Sequence, residues 1–277
     1  MSTAPLLSLA DVARLEERRV AVGISEIASE CRPFGGGMAA RDRPGNFTNA
    51  AVGAGHDGPV SLDEVRDLVR WYADVGIEPR IEVSPYAHPT LVEHLGAEGF
   101  RVRFFENVFV RELSPNVAIE PPSAAPPDLV LQRVDPTSES MIDAFARIVA
   151  SLFTPDDVGA AEAHIPTVRR IAVHPRTTSI VAIRNGVIVG GGSVEFSGEH
   201  AGLFGLAVHR EHRRQGIQQA MMAWRLRYAA AQGARFATIS ARPNVATERN
   251  ARRMGFTVAY TKVVLVRPAP GLVAVIE

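Results

Sequence analysis

Between Val208 and Trp224 the sequence reads VHREHRRQGIQQAMMAW, an arginine-rich turn around one glycine followed at once by a helical pattern. Three anion-binding devices coincide there. The first N–H groups of a helix have no partner within the helix, and the helix dipole adds positive potential at that end. Gly216 lets the backbone approach an oxygen closely, and Arg210, Arg213 and Arg214 add forked, charge-assisted donors. Diphosphate is the group this combination suits, whereas the arginines taken alone read equally well as a solvated basic helix start. Spacing excludes two familiar phosphate loops: there is no GxxxxGK followed by Ser or Thr, and no GxGxxG after a first strand with an acid about twenty residues on.

Other reactive side chains give weaker patterns. His209 and His212 share the turn and His200 lies one strand earlier, but no Cys or carboxylate set completes a metal-ligand spacing, so no metal is expected. GxSxG is absent, which removes the usual nucleophile elbow. Cys31, the single cysteine, stands beside PFGGGM; it can form no intramolecular disulfide and reads as a filler thiol.

The elements around the turn follow from periodicity. Residues 129–134 (LVLQRV) read as a strand, and Met141, Ile142, Phe145, Ile148, Val149 and Leu152 fall at helical spacing. A second helix runs from about Ala160 to Val173, with Pro166 bending or splitting it. Two strand patterns joined by Asn185-Gly186 suit a type I′ hairpin, and HAGLFGLAV is a third strand. Ile217, Ala220, Met221, Trp224, Tyr228 and Ala231 mark one face of the helix after the turn, which stops near Gly233. FATIS, a short helix from Thr247 to Met254 and the strand VAYTKVVLV complete the order β-α-α-β-β-β-α-β-α-β.

Upstream, the sequence repeats itself. GFRVRFFENVFVREL from Gly99 lies over GFTVAYTKVVLVRPA from Gly255, an offset of 255 − 99 = 156 residues, with Val102 on Val258, Phe104 on Tyr260 and Arg111 on Arg267. Val65, Leu68, Val69 and Tyr72 make a helix ending near Gly76, and RIEVSP then makes a strand, the same order as around Gly233. Between the halves, Pro115, Pro121, Pro122, Pro126 and Pro127 favour an extended linker. The expected division is therefore 1–114, a linker at 115–127, and 128–277. The first half has no arginine cluster before its helix at Leu62, so it reads as a repeat without an anion cradle; its Gly35-Gly36-Gly37 and Pro44-Gly45-Asn46 loops suit turns or the wall of a pocket.

Composition bounds the setting. A chain of 277 residues with 46% hydrophobic content can bury one large core or two small ones, and the repeat favours two. Basic and acidic residues number 30 each, so no global field favours nucleic acid or an anionic membrane. No apolar run approaches the roughly eighteen residues of a membrane span, and the first thirty residues lack a leader's apolar core, so a cytoplasmic protein is expected.

The turn Arg213-Arg214-Gln215-Gly216-Ile217-Gln218 resembles the acetyl-CoA loop of the GNAT superfamily of acyl-CoA-dependent N-acyltransferases. That signature is Arg or Gln, two variable residues, Gly, one variable residue, then Gly or Ala; the chain matches at Arg213 and Gly216 and departs at Gln218. The resemblance extends from Leu129 to Val266 in the expected element order. It implies an α/β fold of two GNAT-like halves, each a largely antiparallel twisted sheet flanked by helices, with the first half degenerate. It implies acetyl-CoA as cosubstrate, held by the backbone of Leu206, Ala207 and Val208, by Arg213 to Gln218, and by Asn244, Thr247 and Asn250. It also implies direct transfer of an acetyl group, in a ternary complex, to the amine of a small-molecule acceptor, by a monomer or a homodimer.

Such a transfer needs a neutral amine, a donor for the developing oxyanion and a proton for the departing thiolate. By resemblance, the backbone at Leu206 to Val208 supplies the second. Glu195 in SVEF is the candidate base and also reads as an acid on a strand's solvated face; His200 is the other candidate, and either can act through water. Many family members carry a tyrosine four residues before the Gly-Phe glycine, where this chain has Ala251. Tyr228 reads as core, Tyr260 is a remote substitute, Ser240 and Thr247 read as strand-end and cap residues, and water completes the set of acids. These gaps keep a second reading open, a non-catalytic acyl-CoA-binding module; a nucleotide-phosphate binder is the third.

Overall fold

The computed structural model describes residues 7–114, 118–153 and 158–276, so Pro115 of the expected linker lies outside the described residues. The chain divides into two compact units: residues 1–108 with 258–275, and residues 109–257 with 276–277. This differs from the expected division. The last strand belongs to the first unit, and the proline-rich segment belongs to the second.

In the first unit, α1 (Leu9–Ile27) opens on a capping box between Ser8 and Asp11. Sequence periodicity assigned no helix here, because its buried residues include Glu16, Glu17 and Arg19 beside Val12, Ala13 and Ala21. Strands β1 (Glu30–Phe34) and β2 (Gly37–Arg41) form a hairpin over Gly35 and Gly36, whose φ angles of 56° and 84° suit glycine. They are followed by β3 (Ala50–Val52), α2 (Leu62–Ala73), β4 (Arg80–Val83), α3 (Pro89–Ala97) and β5 (Arg101–Glu112). The last strand of the chain, β11 (Thr257–Val266), pairs antiparallel with β4, and β3 pairs parallel with β4. Leu68, Tyr72, Ile77, Ile81, Leu91 and Leu95 fill the core.

In the second unit, β6 (Leu129–Arg133) leads to α4 (Glu139–Phe153) and α5 (Val158–Val173), which runs through Pro166 as one helix instead of splitting. Strands β7 (Thr177–Arg184), β8 (Val187–Ser197) and β9 (His200–Val208) form an antiparallel meander. Asn185 and Gly186 both have positive φ, as the expected hairpin turn requires. After a 3-10 turn at Arg210–His212 come α6 (Ile217–Ala231), β10 (Phe236–Ala241) and α7 (Ala246–Arg253). The strand order is β10-β9-β8-β7-β6, with β10 parallel to β9. Among the described residues no helix is long and apolar enough to cross a membrane.

The repeat is legible in the elements themselves. The series α2-β4-α3-β5 matches α6-β10-α7-β11, and the starts of β4 and β10, at Arg80 and Phe236, lie 236 − 80 = 156 residues apart. Gly99 and Gly255, the paired glycines of the sequence alignment, both have φ of 79°. Helix α6 is buried more widely than one apolar face requires. Met222, Ala223, Arg225 and Leu226 are buried with Ile217, Ala220 and Met221, while Trp224 and Tyr228 are only half-buried and stack on each other at 5.2 Å.

Candidate functional site

The turn after β9 has the form that its sequence suggests. Gly216 is the N-cap of α6 with φ of 75°, and it has no side chain to cap the helix. The N–H groups of Ile217, Gln218 and Gln219 therefore begin a helix without an intrahelical partner. Arg214 also takes a left-handed φ of 63°, and Arg213 donates from Nε to the Val208 carbonyl at 3.0 Å, tying the turn to the strand that feeds it.

The strand that feeds the turn is irregular. Between Ser193↔Phe204 and Gly191↔Ala207, two residues of β9 oppose one of β8, a bulge at Gly205 (φ 62°) and Leu206. Pairing of β9 with β10 runs from His200↔Phe236 to Leu203↔Ile239 and stops there. From Phe204 onward β9 has no β10 partner among the described residues, and side chains take the carbonyls at the two ends of this stretch, Arg225 that of Phe204 and Arg213 that of Val208.

A cleft of about 700 Å³ opens at this point, lined by Leu206, Ala207 and Val208 of the strand and by Arg213, Arg214 and Gly216 of the turn. Ile217 and Gln218 line it from α6, and Thr247 and Asn250 from α7. Asn250 accepts from Gln219 Nε2 at 3.0 Å and donates to Gln218 Oε1 at 2.6 Å, which joins the two helices across the cleft floor. Gln218, the departure from the family signature, is thus engaged by its neighbour's amide.

Gln215 and Asn244, two of the expected binding residues, do not line the cleft. Gln215 turns outward, accepting from Arg184 Nη1 at 2.5 Å and donating to the Glu211 carbonyl at 3.2 Å. Asn244 is a left-handed residue (φ 64°) whose N–H donates to Glu248 at 2.6 Å. That bond, together with the Arg252 guanidinium, holds the Glu248 carboxyl below its usual range. Sequence reasoning missed Arg249 and Arg253, which line the cleft from α7; their spacing of one helical turn from each other was the available signal. The lining thus includes four arginines, Arg213, Arg214, Arg249 and Arg253, and among the described residues no acidic one.

Of the acid and base candidates, Thr247 lines the cleft and Glu195, His200 and Tyr260 are engaged elsewhere. Glu195 lies opposite Gly202, before the bulge, and its buried carboxylate pairs with Arg176 Nη2 at 2.9 Å. His200 is buried at the start of β9, with Nε2 2.7 Å from Thr238 Oγ1 and its ring stacked on Phe236. Tyr260 belongs to the first unit, where its hydroxyl donates to Glu17 at 2.6 Å. None of these three, nor Tyr228 or Ser240, lines the cleft. Ala251, where many family members have tyrosine, is fully buried.

Arg225, which the sequence reading passed over, sits beneath the bulge. It is fully buried, and Nη1 donates to the carbonyls of Ser193 at 2.8 Å and Phe204 at 3.2 Å. Burial alone pushes its pKa down to about 9, so it stays charged near neutrality.

The acetyltransferase (GNAT) family model matches residues 145–256, from inside α4 to the residue before β11. Residues 145–256 form a GNAT domain. Among solved structures, a GCN5-related N-acetyltransferase from Kribbella flavida is similar at 16% identity and a TM-score of 0.68, over 96% of this chain and 98% of that one. A tandem GNAT protein from the clavulanic acid biosynthesis pathway is similar at 15% identity and a TM-score of 0.60, over 95% and 98% of the two chains. A functionally unknown conserved protein from Staphylococcus epidermidis is similar at 13% identity and 0.59, over 83% and 90%. At these identities the likeness is one of fold, and it extends over nearly the whole chain. No curated protein matches the sequence significantly.

The first unit's counterpart of the GNAT turn is chemically different. Helix α2 opens on a capping box in which Glu64 accepts from the Ser61 N–H at 2.8 Å and Ser61 Oγ accepts from the Glu64 N–H at 3.2 Å. Asp63 and Glu64 stand in its first turn, so a carboxylate occupies the place where α6 has a bare glycine and arginines. Gly35 and Gly36 form the β1–β2 turn, and Asn46 accepts from Thr48 in the turn at Gly45, so turn chemistry accounts for both loops.

Proposed function

We propose that the GNAT domain binds acetyl-CoA in the cleft at the N-terminus of α6 and transfers its acetyl group to the amine of a small-molecule acceptor. The observation that carries this reading is the lining: four arginines and, among the described residues, no acid, at a helix start whose first N–H groups have no intrahelical partner, in a chain whose net charge is zero. A diphosphate meets those donors at the turn, and a pantetheine arm can pair with the β9 edge from Phe204 to Val208. Acetyl-CoA, when bound, supplies the activated acyl carbon. The chain's own part is to hold the thioester at the bulge, where backbone N–H groups face developing charge on the carbonyl oxygen. Attack by the amine occurs in a ternary complex, with water taking and returning protons. Glu195 enters as the partner of Arg176 and not as the base.

Calorimetric titration with acetyl-CoA, CoA and ATP tests the binding step. Acetyl-CoA and CoA are expected to bind and ATP to compete poorly; equal binding of ATP would favour a general nucleotide-phosphate site. Thiol release with a panel of amines tests the transfer.

A second reading has its own observation. Ala251 replaces the family's tyrosine, and Glu195, His200 and Tyr260 are all engaged away from the cleft. These features suit a module that binds acyl-CoA without turning it over, and saturable binding with no free thiol from any amine would establish that module instead.

A further inference from the structure

The proline-rich segment is fastened along the GNAT domain. Ile119 is buried, its carbonyl accepts from Arg227 Nη1 at 2.9 Å, and Glu120 lies 3.6 Å from the same guanidinium. Five residues later, the Ala124 carbonyl oxygen lies 2.5 Å from the position that a Cβ would take on Gly216. Arg227 and Gly216 are 227 − 216 = 11 residues apart on α6, about 16 Å at the helical rise. Five residues of polyproline-like chain span about the same distance, roughly 15 Å. The segment thus runs antiparallel to α6 along its length and ends over its N-cap.

Its far end is also held. Asp128 takes a two-point grip from Arg184, Nε to Oδ2 and Nη2 to Oδ1, both at 3.0 Å. The remaining nitrogen of Arg184 is the one that donates to Gln215 in the arginine turn. Pro121, Pro122, Pro126 and Pro127 stiffen the span between the two anchors. Ser123 lines the same cleft as Arg213 and Gly216. Ala124 meets Gly216 on its Cβ side, so the strap leaves the first-turn N–H groups of α6 to a ligand.

We propose that residues 119–128 are a fixed outer wall of the coenzyme cleft, and that Ser123 is a further binding residue whose hydroxyl donates to a phosphate oxygen of the coenzyme. The proposal rests on the coenzyme reading above. The phosphate is the expected acceptor because Ser123 is adjacent to Ala124, which packs on the N-cap where the diphosphate sits. A wall pre-set by prolines and two arginine anchors loses little entropy on binding and slows ligand escape.

The test uses the full chain with CoA as the probe. Titration of wild type, Ser123→Ala and Asp128→Asn is combined with hydrogen exchange over residues 118–128 with and without CoA. Ser123→Ala is expected to bind CoA about tenfold more weakly at an unchanged melting temperature, in line with loss of one hydrogen bond to a charged group. Asp128→Asn is expected to speed CoA dissociation several-fold, and CoA to slow exchange across the strap. Wild-type affinity in Ser123→Ala overturns the residue assignment, and exchange in 118–128 that ignores CoA overturns the wall. A wild-type protein that binds no CoA overturns the coenzyme reading itself, and this distinguishes the two failures.

Discussion

Arg213 reaches back from the turn to the end of β9, its Nε donating to the Val208 carbonyl at 3.0 Å. One residue therefore fixes the turn and also lines the cleft. On the coenzyme reading proposed above, Arg213→Ala loses both functions, and coenzyme affinity should fall by about 1.5–3 kcal/mol, the range for a hydrogen bond to a charged group. Arg213→Lys keeps the charge but not the planar fork, so it should recover only part of that loss. Titration calorimetry on the pair separates charge from geometry, and full recovery by lysine would sink the fork argument.

Gly216 and Gly255 have nearly the same left-handed φ, 75° and 79°, but different surroundings. A Cβ on Gly216 would stand 2.5 Å from the Ala124 carbonyl oxygen, whereas on Gly255 the nearest atom, in the Arg111 side chain, is 3.7 Å away. Gly255→Ala should therefore cost only the backbone term, about 1 kcal/mol. Gly216→Ala should cost more, because the strap or the turn must also move. Urea denaturation of the two variants measures the difference, and equal losses would mean that the strap yields freely.

The sequence made the second half legible because its helices and strands follow simple periods and its hairpin carries Asn185-Gly186. The turn was legible for a different reason: Arg213, Gly216 and the helix behind them are consecutive, so local chemistry declares itself. What escaped was whatever depends on distant partners. Helix α1 was missed because Glu16, Glu17 and Arg19 face inward, where Glu16 pairs with Arg19 at 2.7 Å and Glu17 meets Tyr260. Arg225 was missed because a charged residue in a helix is read as solvated, and two of its carbonyl partners lie 32 and 21 residues away. The prolines of residues 119–128 were read as part of an extended linker between the halves, and nothing local announces Arg227 and Arg184 as anchors.

Arg249 and Arg253 line the cleft from one face of α7, apart from the turn that suits the diphosphate. CoA carries a third phosphate on its ribose, and two arginines one helical turn apart can meet it. The protein should then prefer CoA to dephospho-CoA, and the double variant Arg249→Gln, Arg253→Gln should bind both alike. Competition titrations read this directly. A preference that survives the double variant would place the third phosphate on other residues.

The Arg184 hydrogen bonds hold the Asp128 carboxyl below its usual range. A carboxyl with a depressed folded pKa contributes stability that is present above its unfolded value and lost as pH falls through the folded one. The strap anchor should therefore be intact across about pH 5–9 and weaken only below about pH 4. Exchange rates over residues 118–128 are expected to show no Asp128-dependent change between about pH 7 and 5, so wild type and Asp128→Asn should differ by a constant factor there. A difference that shrinks within that window would mean that Asp128 is not held as the structure indicates.

Arg225 places a buried charge under the bulge with the carbonyls of Ser193, Phe204 and Met221 to receive it and no carboxylate among its hydrogen-bond partners. Arg225→Lys retains the charge but replaces a fork by a point, so at least one carbonyl is left and the ammonium is poorly solvated. That should cost about 3–5 kcal/mol, as for a buried charge deprived of its partner. Arg225→Met removes the charge and its desolvation penalty together, leaving the Ser193, Phe204 and Met221 carbonyls without the guanidinium's bonds, so it should cost less than lysine does. Denaturation of the three proteins should rank them wild type, Met, Lys. Lysine ranking above methionine would show that the site holds a charge more comfortably than its burial implies, through water reaching the bulge from the cleft.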